Sequence, residues 1–299
     1  MSVSKMRVSW FGLMLLALAG SASAATGTWS GGLSGVWDTS AVNWTGVTGT
    51  PWAYGQNNGV WFNTSGAVVT VSGTVYTAGG WNFTVSKNTA LTGAGVITST
   101  NTGDYNIQIT QGSTLTSDTS FMMSSNNSIS VYANAGTGPA TFNMTGGFFG
   151  CATNTASLTG QRYLRLYANT VFNQSNGLVS AKTLWVGINQ NAGPATYNLN
   201  GGLLDINQQG GEGSTIGYEN SGNATTGIVT IAGASAKMIV RNGTAGNKLY
   251  FGWSGTLGVG FLNLQQGEFQ ANAIGPWGGN RLRDAGRYER DDGAPALRL

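Results

Sequence analysis

The sequence predicts an all-β protein: a single-stranded, right-handed parallel β-helix, or β-solenoid, with a tryptophan-rich N-terminal cap. Three observations carry this. One motif returns five times in the back half of the chain at a spacing of roughly 25 to 33 residues, a period typical of solenoids and arrays. Apolar and polar residues alternate with period two over much of the length, the mark of strands with one wet face. Finally, the 299 residues include 48 glycines, only 8% are charged, and 40% are apolar. That composition suits many short strands closed by tight turns and lacks the aromatic-poor, highly charged signature of disorder.

Residues 1–24 read as a secretory signal peptide. Lys5 and Arg7 give a basic start, Trp10 to Ala19 is apolar, and Ala22-Ser23-Ala24 offers a small-residue cleavage site before Ala25. The apolar run is shorter than the roughly 20 residues that span a bilayer, and no later segment is longer. The expectation is therefore an exported chain without a membrane span in its mature form.

Residues 25–66 form the cap. Trp29, Trp37, Trp44, Trp52 and Trp61 fall seven to nine residues apart among Gly, Ser, Thr and Asn, a spacing that places one ring per short strand. A solenoid leaves its first coil with an open apolar end, and indoles would close it. The functional alternative is a platform of exposed rings that contacts carbohydrate.

Residues 67–279 form the β-helix repeats. They begin with strands such as Val69-Thr70-Val71 and Trp81-Asn82-Phe83-Thr84-Val85. The motif itself is Ala140-Thr141-Phe142-Asn143-Met144-Thr145-Gly146-Gly147, recurring as Ala195-Thr196-Tyr197-Asn198-Leu199-Asn200-Gly201-Gly202 and more loosely from Val171, Ile228 and Phe261. Phe142, Tyr197, Val229 and Leu262 would stack in an inward apolar column, and Asn143, Asn173, Asn198 and Asn263 in an outward amide ladder. The glycines that follow would supply a positive-φ corner. A second apolar segment (Leu203-Leu204-Asp205-Ile206) and a third (Leu184-Trp185-Val186-Gly187) complete a three-strand coil, and eight or nine coils fit between residues 60 and 280. An antiparallel sandwich or barrel would also give short strands, but it does not explain the recurrence of one motif.

Residues 280–299 differ abruptly. Nine of the 25 charged side chains lie between Arg281 and Arg298. The segment reads as a disordered tail or as the product of a frameshift out of a glycine-rich repeat. The net charge of +3 is not organised into a basic stripe with interleaved aromatics, so no nucleic-acid partner is expected.

The opening Thr28-Trp29-Ser30-Gly31-Gly32, Gly35-Val36-Trp37-Asp38-Thr39-Ser40 and Asn43-Trp44 resembles that of bacterial autotransporter-associated β-strand repeat proteins. The strand Val68-Val69-Thr70-Val71-Ser72-Gly73 and the later Asn-Gly-Gly-Leu units are similar to the same group. The resemblance covers residues 25 to 280 and implies an exported, passenger-like β-helix at the cell surface, outer membrane or outside the cell. It brings no catalytic residues. Neither the C-terminal barrel nor the sorting tail of such proteins is read within these 299 residues.

Candidate chemistry is sparse. The chain has no histidine and one cysteine, Cys151, which removes the commonest metal ligand and neutral-pH base and any internal disulfide. Asp205, Glu212 and Glu219 stand seven residues apart and could share a groove with Arg162 or Arg165, as a polysaccharide lyase or glycosidase would need. Turn-exposed acids explain them equally well. The sequence therefore points to a structural or adhesive rod with no catalytic residues, cofactor or metal, with surface glycans or extracellular matrix as partners and an undefined oligomeric state. The alternative is a secreted protein that binds or cleaves carbohydrate.

Overall fold

The computed structural model describes residues 26–46, 59–77, 80–99, 104–123, 128–151, 163–188, 193–208, 213–218, 224–242, 248–253 and 258–276. The signal-peptide segment, Trp52, Arg162, Glu212, Glu219 and the tail from residue 280 lie outside them. The described residues form twenty-eight strands in three sheets of eleven, nine and eight strands, here called A, B and C. No helix long and apolar enough to cross a membrane occurs among the described residues.

From Gly59 onward the chain visits the three sheets in strict rotation. Gly59–Phe62 lies in sheet A, Ala67–Val71 in sheet B and Thr74–Thr77 in sheet C, after which Gly80–Val85 returns to sheet A beside Gly59–Phe62. Each of the eight strands of sheet C closes one such coil, and neighbouring coils pair in parallel. The protein is a parallel β-helix. At a rise of about 4.8 Å per coil, eight coils make a body roughly 40 Å long.

Period-two alternation builds the core. In Ala140–Met144 the side chains of Ala140, Phe142 and Met144 are buried, whereas Thr141 and Asn143 are half-buried on the outer face. Register places Phe142 over Phe172, then Tyr197, Val229 and Leu262 in successive coils. The Phe142 and Phe172 rings stack at 4.9 Å, and Phe172 and Tyr197 at 5.0 Å. Full burial of each such side chain is worth about 1.5–3 kcal/mol, repeated in every coil.

The inward column is not wholly apolar. Met144 pairs in register with Gln174, which is fully buried. Gln174 Nε2 donates to the carbonyls of Gly177 and Leu203, both at 3.1 Å, and its Oε1 accepts the Tyr197 hydroxyl at 2.6 Å. With all three bonds made, the amide is tolerated inside the coil.

The corners after sheet B follow the glycine expectation, with one difference. Gly147, Gly177, Gly202 and Gly267 have φ of 69°, 81°, 75° and 79°. Gly233 lies outside the left-handed region; a Cβ there would fall 1.7 Å from the Asn200 carbonyl oxygen. Close approach of the preceding coil, not backbone handedness, requires glycine at that corner.

At the N-terminal end, Trp44–Thr45 runs antiparallel across Thr26–Trp29. The Trp29 ring packs on Trp44 at 5.3 Å, Trp37 on Trp44 at 4.9 Å and Trp44 on Phe62 at 5.5 Å. These rings join the core of the first full coil through Phe62 and Phe83.

Candidate functional site

The outer face of sheet B is a polar strip. Register lines up Thr116, Asn143, Asn173, Asn198, Thr230 and Asn263 in one row. Asn173 donates its amide to Asn143 Oδ1, and Asn198 donates to Asn173 Oδ1, each at 2.8 Å. The row then changes character: Thr230 stands between Asn198 and Asn263, and Asn263 reaches only the Thr230 hydroxyl at 3.4 Å. The expected four-membered amide ladder is thus three-membered. An intervening coil supplies threonine, whose short side chain cannot carry an amide-to-amide chain.

The outer face of sheet A holds a feature that the sequence reading missed. Tyr163, Arg165 and Tyr167 point outward from Tyr163–Tyr167, while Leu164 and Leu166 enter the core. Trp185 and Ile188 in the next coil and Tyr218 in the one after continue this face. Trp185 lies 4.3 Å from the Tyr163 ring and stacks on Tyr218 at 4.4 Å, and Tyr132 stacks on Tyr167 at 3.7 Å. The Arg165 guanidinium sits 4.5 Å over Tyr163 and 5.1 Å from Trp185, and its Nη1 donates to Asp104 Oδ2 at 2.7 Å. Burial, helped by the contact with Tyr167, raises the Tyr132 pKa well above the usual tyrosine value.

These rings use faces on one another, and Tyr163 and Trp185 are only 3% and 9% exposed. Saccharide stacking needs an open ring face. The face therefore acts first as a second, external clasp between coils. Its signal was present in Tyr-Leu-Arg-Leu-Tyr at 163–167 and Leu-Trp-Val at 184–186, but aromatics on the wet face alternate with aliphatics on the core face and read as a continuous apolar run.

Three of the five tryptophans considered as carbohydrate contacts are unavailable for that role. Trp29, Trp37 and Trp44 are 2%, 0% and 3% exposed, because the antiparallel strand folds their rings over the first coil. Trp61 is exposed, and its indole N–H donates to Ser86 Oγ at 2.8 Å.

Of the groove considered from sequence only Asp205 and Arg165 are among the described residues, and each is paired elsewhere; Glu212, Glu219 and Arg162 lie outside them. Asp205 accepts both Nε and Nη2 of Arg241, at 2.9 and 3.1 Å, and the pairing raises the arginine pKa. Arg165 is committed to Asp104. Asp38 accepts the backbone N–H groups of Ser40 and Ala41, which lower its pKa, and Asp118 accepts the Gly93 N–H at 3.0 Å. Glu268 pairs with Lys237 at 2.8 Å and is also bonded by Gln270; the lysine contact lowers its pKa. No group of three or more potential metal ligands occurs among the described residues.

The fold and these surfaces define a parallel β-helix with a polar strip on one face and an aromatic clasp on another. No family model, curated protein or solved structure matches the chain.

Proposed function

We propose that the chain is an exported structural or adhesive β-solenoid without catalysis of its own, a passenger-like rod of the autotransporter-associated repeat kind. It would work at the cell surface, at the outer membrane or outside the cell. The observation that carries this reading is the use made of the carboxylates among the described residues: Asp38, Asp104, Asp118, Asp205 and Glu268 each bind backbone N–H groups or a cation, and no two of these converge on one partner. A hydrolase or lyase needs acids converging on a shared substrate position. The polar strip of sheet B supports weak, repeated contact with surface glycans or matrix along the rod. Export itself is tested by sequencing the N-terminus of the secreted protein, which should begin at Ala25.

The test of function is to present the purified chain to glycan and matrix arrays and to acidic polysaccharides. The rod reading expects weak contact that strengthens when many copies are displayed together, with no loss of polymer length. Depolymerisation would sink it. A dedicated carbohydrate binder is the second reading, favoured by exposed Trp61. It expects saturable binding by a single copy that is lost in Trp61→Ala.

A further inference from the structure

Four Asn-Gly pairs occur in the chain: Asn58-Gly59, Asn176-Gly177, Asn200-Gly201 and Asn242-Gly243. Such pairs are chemically labile, because glycine has no Cβ to keep its backbone nitrogen away from the preceding side-chain amide. Asn58 and Gly243 lie outside the described residues. The other two pairs stand at the corners between sheets B and C in adjacent coils, and every residue of these corners is described.

Register sets the two corners against each other. Gln174 pairs with Leu199, so Ser175, Asn176 and Gly177 are matched by Asn200, Gly201 and Gly202. The two asparagines sit one position apart, and the glycines that follow them meet different surroundings. Gly201 is buried, its N–H donates to the Gln174 carbonyl at 3.2 Å, and a Cβ there would fall 2.3 Å from the Ser175 carbonyl oxygen. Asn176 is exposed and Gly177 half-buried, with φ at 81°. Neither the Asn176 side chain nor the Gly177 N–H has a hydrogen-bond partner among the described residues. The Gly177 carbonyl is held instead, accepting the Leu203 N–H at 3.0 Å and Gln174 Nε2 at 3.1 Å.

We propose that Asn176 is a site of self-modification, deamidating through a cyclic imide, and that the fold spares Asn200. The Gly177 nitrogen, having lost its proton to solvent hydroxide, attacks Asn176 Cγ. A C–N bond forms, the Cγ–Nδ2 bond breaks, and Nδ2 takes a proton from water and leaves as ammonia. Water then opens the imide at either carbonyl. Opening at Cγ gives aspartate; opening at the main-chain carbonyl gives isoaspartate. The net change is amide to carboxylate, with nothing oxidised or reduced. Aspartate keeps the backbone length and puts a negative charge on the exposed corner. Isoaspartate routes the backbone through Cγ and lengthens it beside the Gly177 carbonyl that Gln174 and Leu203 hold. At Asn200 the same attack requires Gly201 to give up its acceptor and its buried position first.

Peptide mass mapping of the full chain tests this after ageing in mildly alkaline buffer, folded and in unfolding denaturant, with digestion at acidic pH, where cyclisation is slow. The unfolded chain supplies the intrinsic rates of the two pairs. Folding should raise the ratio of Asn176 to Asn200 modification by about fivefold or more, the effect of one net backbone hydrogen bond at Gly201. The Asn176 rate should also climb with pH, since the attacking nitrogen must be deprotonated. A ratio that folding leaves unchanged or lowers overturns the proposal. So does a rate independent of pH, or a folded chain whose Asn176 stays intact over the time in which it reacts in denaturant.

Discussion

The Tyr197 hydroxyl donates to Gln174 Oε1 at 2.6 Å within the inward column, and both residues are fully buried. They come from adjacent coils, so the bond fixes one coil's register on the next as the apolar stack around it cannot. Apolar contact tolerates sliding; a single buried acceptor does not.

That pair yields the first prediction. Tyr197→Phe leaves the Gln174 oxygen without its donor, and Gln174→Leu leaves the tyrosine hydroxyl without its acceptor, so each should cost about 1–3 kcal/mol. The double change removes both polar groups and should cost clearly less than the sum. Hydrogen exchange of amides in Thr170–Gln174 and Ala195–Leu199 measures the local effect. Strict additivity would show that the two side chains are not coupled.

Alkaline pH should loosen the core. Burial raises the pKa of Tyr105 and Tyr197 above the ordinary value of 10.0, because the phenolate cannot be solvated among the rings. Above the unfolded pKa the unfolded chain releases protons that the folded chain keeps. Stability from these groups is thus complete below about pH 10 and is lost progressively above it. Melting temperature should be flat from pH 7 to 9 and fall beyond 10. In Tyr105→Phe the fall should be smaller, and an identical slope would refute the assignment.

Asn173 sits in the middle of the amide row, bonded to Asn143 on one side and Asn198 on the other, whereas Asn263 holds only a long contact to Thr230. Asn173→Ala should therefore cost about 1–2 kcal/mol by chemical denaturation, and Asn263→Ala within about 0.5 kcal/mol of nothing. Equal costs would mean that the row contributes through surface coverage rather than through its hydrogen bonds.

Two corner glycines separate backbone handedness from crowding. Gly66 has φ +76° with open space around it, whereas a Cβ on Gly202, at φ +75°, would lie 2.4 Å from the Gly177 carbonyl oxygen. Gly66→Ala should cost about 1–2 kcal/mol for the left-handed conformation alone. Gly202→Ala must also push apart two coils and should reduce soluble yield or lower the melting temperature several degrees further. Matching losses would place the whole cost in φ.

Much of this fold was legible in the sequence because its determinants are local and repeated. Alternation assigns the faces, glycine marks corners such as Gly147 and Gly202, and the period of the Phe142, Tyr197 and Val229 strands sets the coil length. Tertiary structure decided the rest. Whether a tryptophan is a cap or a platform depends on whether a neighbouring strand covers it, and Trp44–Thr45 folds back to bury Trp29 and Trp37 while Trp61 stays outside. Which acid meets which base depends on coil register: Arg165 meets Asp104, which is 61 residues away in sequence, and Asp205 meets Arg241. Nothing in the looser repeat that starts at Val171 marks Gln174 as inward, and only stacking places it among rings. A solenoid writes its inward and outward faces into every coil, because period two and burial are properties of one strand. Pairings between coils depend on the height at which each side chain comes to rest, and that height accumulates through insertions and corners that no single segment specifies.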